Sequence, residues 1–223
     1  MKRSLDLNSV LFHGLEPVEA EQRTEKSLVK LESILQTGAI LSRSEQLKRF
    51  NIETHKFLEK YTKETLWKNL SGNDFVSICK KQSRVKPECE TDGFFFYVAG
   101  DGGISLALSQ DVLKLVDSSR RVLMDGELQV KDSIPLDHMV AIVCGGKSFK
   151  ELSEEIKSRK EIGLTHQLIK ELLPYALVEK QVQIKDSIGE LLYKYGYGNL
   201  PIISSRDGFE IGDVDDVLHE LEL

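Results

Sequence analysis

The chain has 223 residues, 40% of them hydrophobic and 30% charged, with a net charge of −6. That is enough to bury a core of its own, with the composition of a soluble globular protein. No run of about eighteen apolar residues exists to cross a bilayer. The acidic balance argues against a protein whose main work is gripping nucleic acid through its phosphates, while leaving room for a locally basic groove.

The first residues, MKRSLDLNSVLF, lack a long apolar segment and a small-residue cleavage site, so no Sec signal is expected. A cytoplasmic protein is the expectation, with secretion into a host cell by another route left open. Cys79, Cys89 and Cys144 are scattered, without CxxC spacing, inside apolar runs. They read as reduced, buried thiols rather than a metal site. His55, His138, His166 and His219 share no ligand spacing, and no metal is expected.

Ser9–His13 reads as a first strand, broken by Gly14 and Pro17. From Val18 to Thr37, Leu28, Leu31, Ile34 and Leu35 recur at helical spacing, and Gly38 closes the helix as its C′ residue. Ala39–Ser44 reads as a short extended piece followed by a polar turn. Glu45–Leu70 reads as largely helical, with Phe57, Leu58, Tyr61, Leu66 and Trp67 as core candidates. Phe75–Cys79 is a second strand, Ser83–Asp92 a loop, and Phe94–Val98 an apolar run. Gly100–Gly103 is a tight turn, Ile104–Leu108 a strand and Gln110–Val116 a short helix.

Asp117–Asp125 is a polar loop leading to the segment Asp125–Ile142, DGELQVKDSIPLDHMVAI. Here a lone carboxylate, Glu127, opens an alternating apolar run. An Ile134-Pro135 step then leads to a strand ending in Met139–Ile142. Burying that carboxylate unpaired would cost several kcal/mol, so it is expected to face a cleft. Beyond Gly146 the composition turns helical and charged. Phe149–Arg159, His166–Leu173, Ser187–Tyr195 and Asp213–Leu223 read as helices, and Leu200–Ile203 as a strand. The expected organisation is an α+β core over 1–146 and a mainly helical extension over 147–223. No G-x-G-x-x-G, P-loop or HExxH is present.

Five pieces in order carry a resemblance: Leu11–Gly14, Ile34–Leu41, Phe75–Cys79, Gly103–Leu113 and Glu127–Ile142. Their sequence of strand–His–Gly, helix with a closing Gly, Val-Ser strand, Gly-Ile strand and Glu–strand–Ile-Pro–strand resembles the ADP-ribosyltransferase superfamily. The likeness runs over about the first two thirds of the chain. It is nearest the His-first branches, diphtheria-like, DarT-like and RNA 2′-phosphotransferase-like. The resemblance implies a split mixed sheet with a helical C-terminal extension, and NAD as substrate.

By the same resemblance, His13 and Gly14 take the ribose of NAD. Glu127 is the catalytic acid, and Asp117–Asp125 the substrate-recognition loop. Many members carry Gln or Glu two residues before the catalytic acid. Here that position is Asp125, a departure that bears on the acceptor. Tyr97 or Phe96 would stack on nicotinamide, Ser77 would replace an aromatic or serve as the middle-motif hydroxyl, and Arg43 would reach the pyrophosphate.

The implied activity is mono-ADP-ribosyl transfer to a macromolecule. The acidic charge points to a protein acceptor, and a bacterial effector or toxin role fits by analogy alone. The alternatives are NAD hydrolysis, transfer to nucleic acid through the basic run Lys80, Lys81, Arg84 and Lys86, or an inactive relative working as an interaction module.

Overall fold

The strand Ile104–Leu108 is buried along its whole length, with a strand paired on each side of it. The computed structural model describes residues 3–15, 23–49, 74–80, 103–116, 127–145, 182–205, 208, 210 and 211. Among them, β1 is Leu11–Gly14, α1 Arg23–Thr37, β2 Ala39–Leu41, α2 Arg43–Arg49, β3 Phe75–Lys80 and β4 Ile104–Leu108. After these come β5 Glu127–Lys131, β6 Ser133–Pro135, β7 Met139–Cys144, a helix α3 over 182–194, and β8 Ile202–Ser204. The fold is α+β. Six strands form a mixed sheet in the order β5-β3-β1-β4-β7-β8, and β2 and β6 form a separate pair. All neighbours in the large sheet are antiparallel except β7 and β8.

Alternation along the strands sorts the core onto two faces. Leu11, Ile78, Leu106, Leu108, Val130 and Ile142 join one cluster, which α1 covers with Leu31, Ile34 and Leu35 and α3 with Ile188 and Leu192. Phe12, Ala107, Ala141, Val143 and Ile203 join a second cluster with Leu7 and Val10. Each fully buried Leu or Ile stabilises the fold by about 1.5–3 kcal/mol. Glu32 of α1 accepts hydrogen bonds from Lys194 (2.7 Å) and from the Tyr195 hydroxyl (3.1 Å), joining α1 to the end of α3.

Residues beyond Gly146 therefore supply a helix to the core and a strand to the sheet. Beside β8, the Ile211 N–H donates to Ile202 O, and the Leu5 and Glu210 N–H groups donate to Gly208 O and Arg3 O. The early and late parts of the chain meet there. The strand read at Leu200–Ile203 begins two residues later and ends one residue later, as Ile202–Ser204.

The helix of the 18–37 segment ends as its sequence demands. Gly38 takes φ 72° and its N–H donates to Ile34 O, the single-bond C′ motif. The polar turn expected at Ser42–Ser44 is instead the start of α2. The Glu45 N–H donates to Ser42 Oγ (3.3 Å), and the Gln46 N–H to Ser42 O (2.9 Å). The Ser42-x-x-Glu45 spacing carried that signal.

The segment Gln110–Leu115 is a 3-10 helix. Val112 is its buried anchor, while Leu113 and Leu115 stay exposed, so no apolar stripe draws it into an α-helix. Cys144 is buried, and desolvation pushes its thiol up to about 12; Cys79 is half-buried, and neither forms a disulfide. The readings at 16–22, 50–73, 81–102, 117–126, 146–181 and 212–223 lie outside the described residues.

Candidate active site

β1 is held on both sides at its start and on one side at its end. Against β4 it pairs throughout, from Leu11↔Leu108 to Gly14↔Ser105. Against β3 it pairs at Leu11↔Lys80 and Phe12↔Cys79, and there the pairing stops. Continued in that register, Gly14 would have met Ser77. Instead the sheet opens between β1 and β3, and the His13 ring bridges the gap. Its Nδ1 lies 2.9 Å from the main-chain oxygen of Ser77. The imidazole thus satisfies a carbonyl that the parting of the two strands would have left without its ladder partner.

Desolvation dominates the electrostatics of His13. Packing lowers its pKa from the ordinary 6.5 to about 4, and the positive charge of Lys30 on α1 acts in the same direction. The bond to the Ser77 carbonyl opposes them. The ring is therefore neutral near pH 7. Lys30 had no signal in the sequence, because it lies between the apolar positions of α1, and its nearness to β1 is a product of packing alone.

Glu127 opens β5, on the other side of β3 from His13. Its Cα partner is Cys79, whose partner on β1 is Phe12. Glu127, Cys79 and Phe12 therefore form one ladder row, about 10 Å long at ordinary strand spacing. His13 belongs to the next row, opposite Leu106. Two of the sequence-predicted residues, His13 and Ser77, are in direct contact. The contact runs through the Ser77 main chain, and the residue itself is exposed. Gly14, half-buried, ends β1 beside this opening. Arg43 is the first residue of α2, exposed, beside the small sheet. Tyr97, Phe96 and Asp125 lie outside the described residues.

The small sheet is coupled to this region through β5. At Asp132 the chain leaves β5 for β6, which pairs with β2 at Ile40↔Ile134. Among the described residues no cluster of His, Cys, Asp and Glu could hold a metal ion, and no helix is long and apolar enough to cross a membrane.

No protein-family model matches the sequence, and no curated protein matches it. Among solved structures, the chain is similar to that of Thermus sp. 2.9 DarT in complex with ADP-ribosylated ssDNA. The two are 14% identical, the match covers 72% of this chain and 92% of that chain, and the TM-score is 0.33. The likeness is a distant one.

Proposed function

We propose that the chain is an NAD-dependent mono-ADP-ribosyltransferase. The observation that carries the reading is the opened edge between β1 and β3, where a neutral His13 stands one ladder row from Glu127. The order of motifs along the sequence supports the same reading. Adjacent rows of a regular pleat face opposite ways. A shared cleft therefore asks for a departure from regular pleating at one of the two strand ends. His13 stands just past the last β1–β3 pair, and Glu127 is the first residue of β5.

The chemistry needs little more. The bond between nicotinamide and the ribose C1′ breaks, nicotinamide leaves with the bonding electrons, and the ribose takes on positive charge. The Glu127 carboxylate stabilises that charge and orients the 2′-hydroxyl, while His13 and Gly14 hold the sugar. An acceptor group then bonds to C1′ and loses its proton. Nicotinamide is a good leaving group, so no strong general acid is called for. Arg43 and Tyr97 are assigned to the pyrophosphate and the nicotinamide ring.

Purified protein incubated with NAD is expected to release free nicotinamide, and its absence would reject the reading. Labelled NAD added with cell lysate, followed by protease or nuclease, identifies the acceptor. A protein acceptor agrees with the net negative charge. Nucleic acid is the second reading, favoured by Lys80, exposed at the end of β3 one row from Glu127.

A further inference from the structure

In a regular antiparallel strand, a residue's N–H and C=O point to the same neighbouring strand. Asp132 divides them between two sheets. Its N–H donates to Asp74 O at 2.8 Å, one row past the Phe75↔Lys131 pair, and so extends the β3–β5 ladder. Its carbonyl oxygen accepts from the Ser42 N–H at 2.7 Å, one row past Leu41↔Ser133, and so extends the β2–β6 ladder. The left-handed backbone, φ 62°, turns the chain between the two bonds. The second bond carries α2 with it. Ser42 is buried, its Oγ and its carbonyl oxygen accept the Glu45 and Gln46 N–H groups, and the next residue is Arg43. The charges around α2 agree. Glu45 does most to raise the pKa of Lys48, and Asp132 and Asp74 add to it.

We propose that Asp132 is a positioning residue, whose main chain fixes Arg43, at the start of α2, against the large sheet that carries His13 and Glu127. The pyrophosphate and the ribose of one NAD molecule are then met at a set spacing. Glu127 opens β5 and Asp132 follows its last residue, so the paired strand serves as the spacer between them. The positioning rests on the reading of Arg43 and Glu127 as NAD contacts, whereas the joint between the two sheets does not.

The test is a double-mutant cycle on the full chain, with NAD affinity read by calorimetry. Asp132→Val disfavours the left-handed backbone, while Asp132→Asn and Asp132→Gly keep it. Asp132→Val is expected to weaken NAD binding about tenfold, as Arg43→Ala does, and the double variant to bind no worse than either alone. The Asn and Gly variants should bind as wild type, which sets the carboxylate's charge aside as the cause. Amide exchange is followed on the same proteins without NAD. Ser42, Glu45 and Gln46 should lose protection in Asp132→Val, and the β4 amides should keep theirs. Asp132→Ala repeats the comparison if the valine variant does not fold.

An unchanged affinity, losses that add in the double variant, or Asn and Gly variants as weak as valine would each overturn the positioning. Unaltered exchange at Ser42, Glu45 and Gln46 would overturn the joint. A wild type that takes no NAD would reject the proposed activity and the positioning with it, and exchange would still judge the joint.

Discussion

The Ser42 N–H donates to the Asp132 carbonyl oxygen at 2.7 Å, and this bond ties the small sheet to the end of β5. Asp132 also donates its own N–H to Asp74 O at 2.8 Å, just ahead of β3. One residue thus joins the exit of β2, the entry of β3 and the step from β5 to β6. To serve all three it adopts φ 62°, which costs a residue with a Cβ roughly 1–2 kcal/mol. A β-branched side chain tolerates this region least. Asp132→Val is therefore expected to be less stable than Asp132→Gly by about 1–2 kcal/mol in urea unfolding. Equal midpoints would show that the turn is not strained.

Two glycines with left-handed backbone separate conformational cost from collision. At Gly38, φ is 72° and no atom lies within 4 Å of where a Cβ would stand. At Gly208, φ is 76° and a Cβ would run into the main-chain oxygen of Leu5. Gly38→Ala should lose about 1 kcal/mol. Gly208→Ala should lose clearly more, because the Leu5 N–H donates to Gly208 O and keeps Leu5 close against this residue. Thermal unfolding of the two variants compares them directly, and equal losses would remove the Leu5 contact from the account.

The depressed pKa of His13 makes stability depend on pH. The unfolded chain binds a proton on this ring below about 6.5, whereas the folded chain does so only below about 4. Between those values the unfolded state holds more protons, so stability falls as pH drops through the window and levels off beneath it. His13 keeps some solvent contact, so the expected loss is about 2–3 kcal/mol rather than the full shift. Wild type and His13→Gln should diverge in the slope of unfolding free energy between pH 6.5 and 4. Parallel curves would contradict the buried neutral ring.

Substitutions in the proposed machinery should part binding from turnover. Glu127→Gln is expected to abolish nicotinamide release while NAD still binds, since the charge acts on the transition state. A variant with wild-type turnover would end the role given to Glu127. Arg43→Ala should raise the NAD dissociation constant by about tenfold, the scale of one charge-assisted hydrogen bond to phosphate. An unchanged constant in calorimetry would remove Arg43 from the site.

Much of the scaffold was legible in the order of residues. The alternation in Ile104–Leu108 marked β4, the spacing of Leu28, Leu31, Ile34 and Leu35 marked α1, and Gly38 marked its end. These signals are local, because each reports a backbone period and the side that is buried. The start of α2 was legible too, in Ser42 and Glu45, but those residues read equally well as a turn. The end of β4 resisted such reading. A 3-10 segment and an α-helix of that length share their polar pattern, and contact with the rest of the molecule decides between them.

By itself, then, the sequence determined most of the strands and the long helix, since type and spacing of residues suffice for that, while the resemblance of its ordered motifs made His13 and Glu127 candidates. Tertiary structure decided that β1 leaves β3 after Phe12, that the His13 ring fills the opening, and that it does so uncharged. The reason is that a side chain's charge and hydrogen-bond role depend on what surrounds it. Burial sets the charge here, and the partner that sets the hydrogen-bond role, the carbonyl of Ser77, lies 64 residues away along the chain.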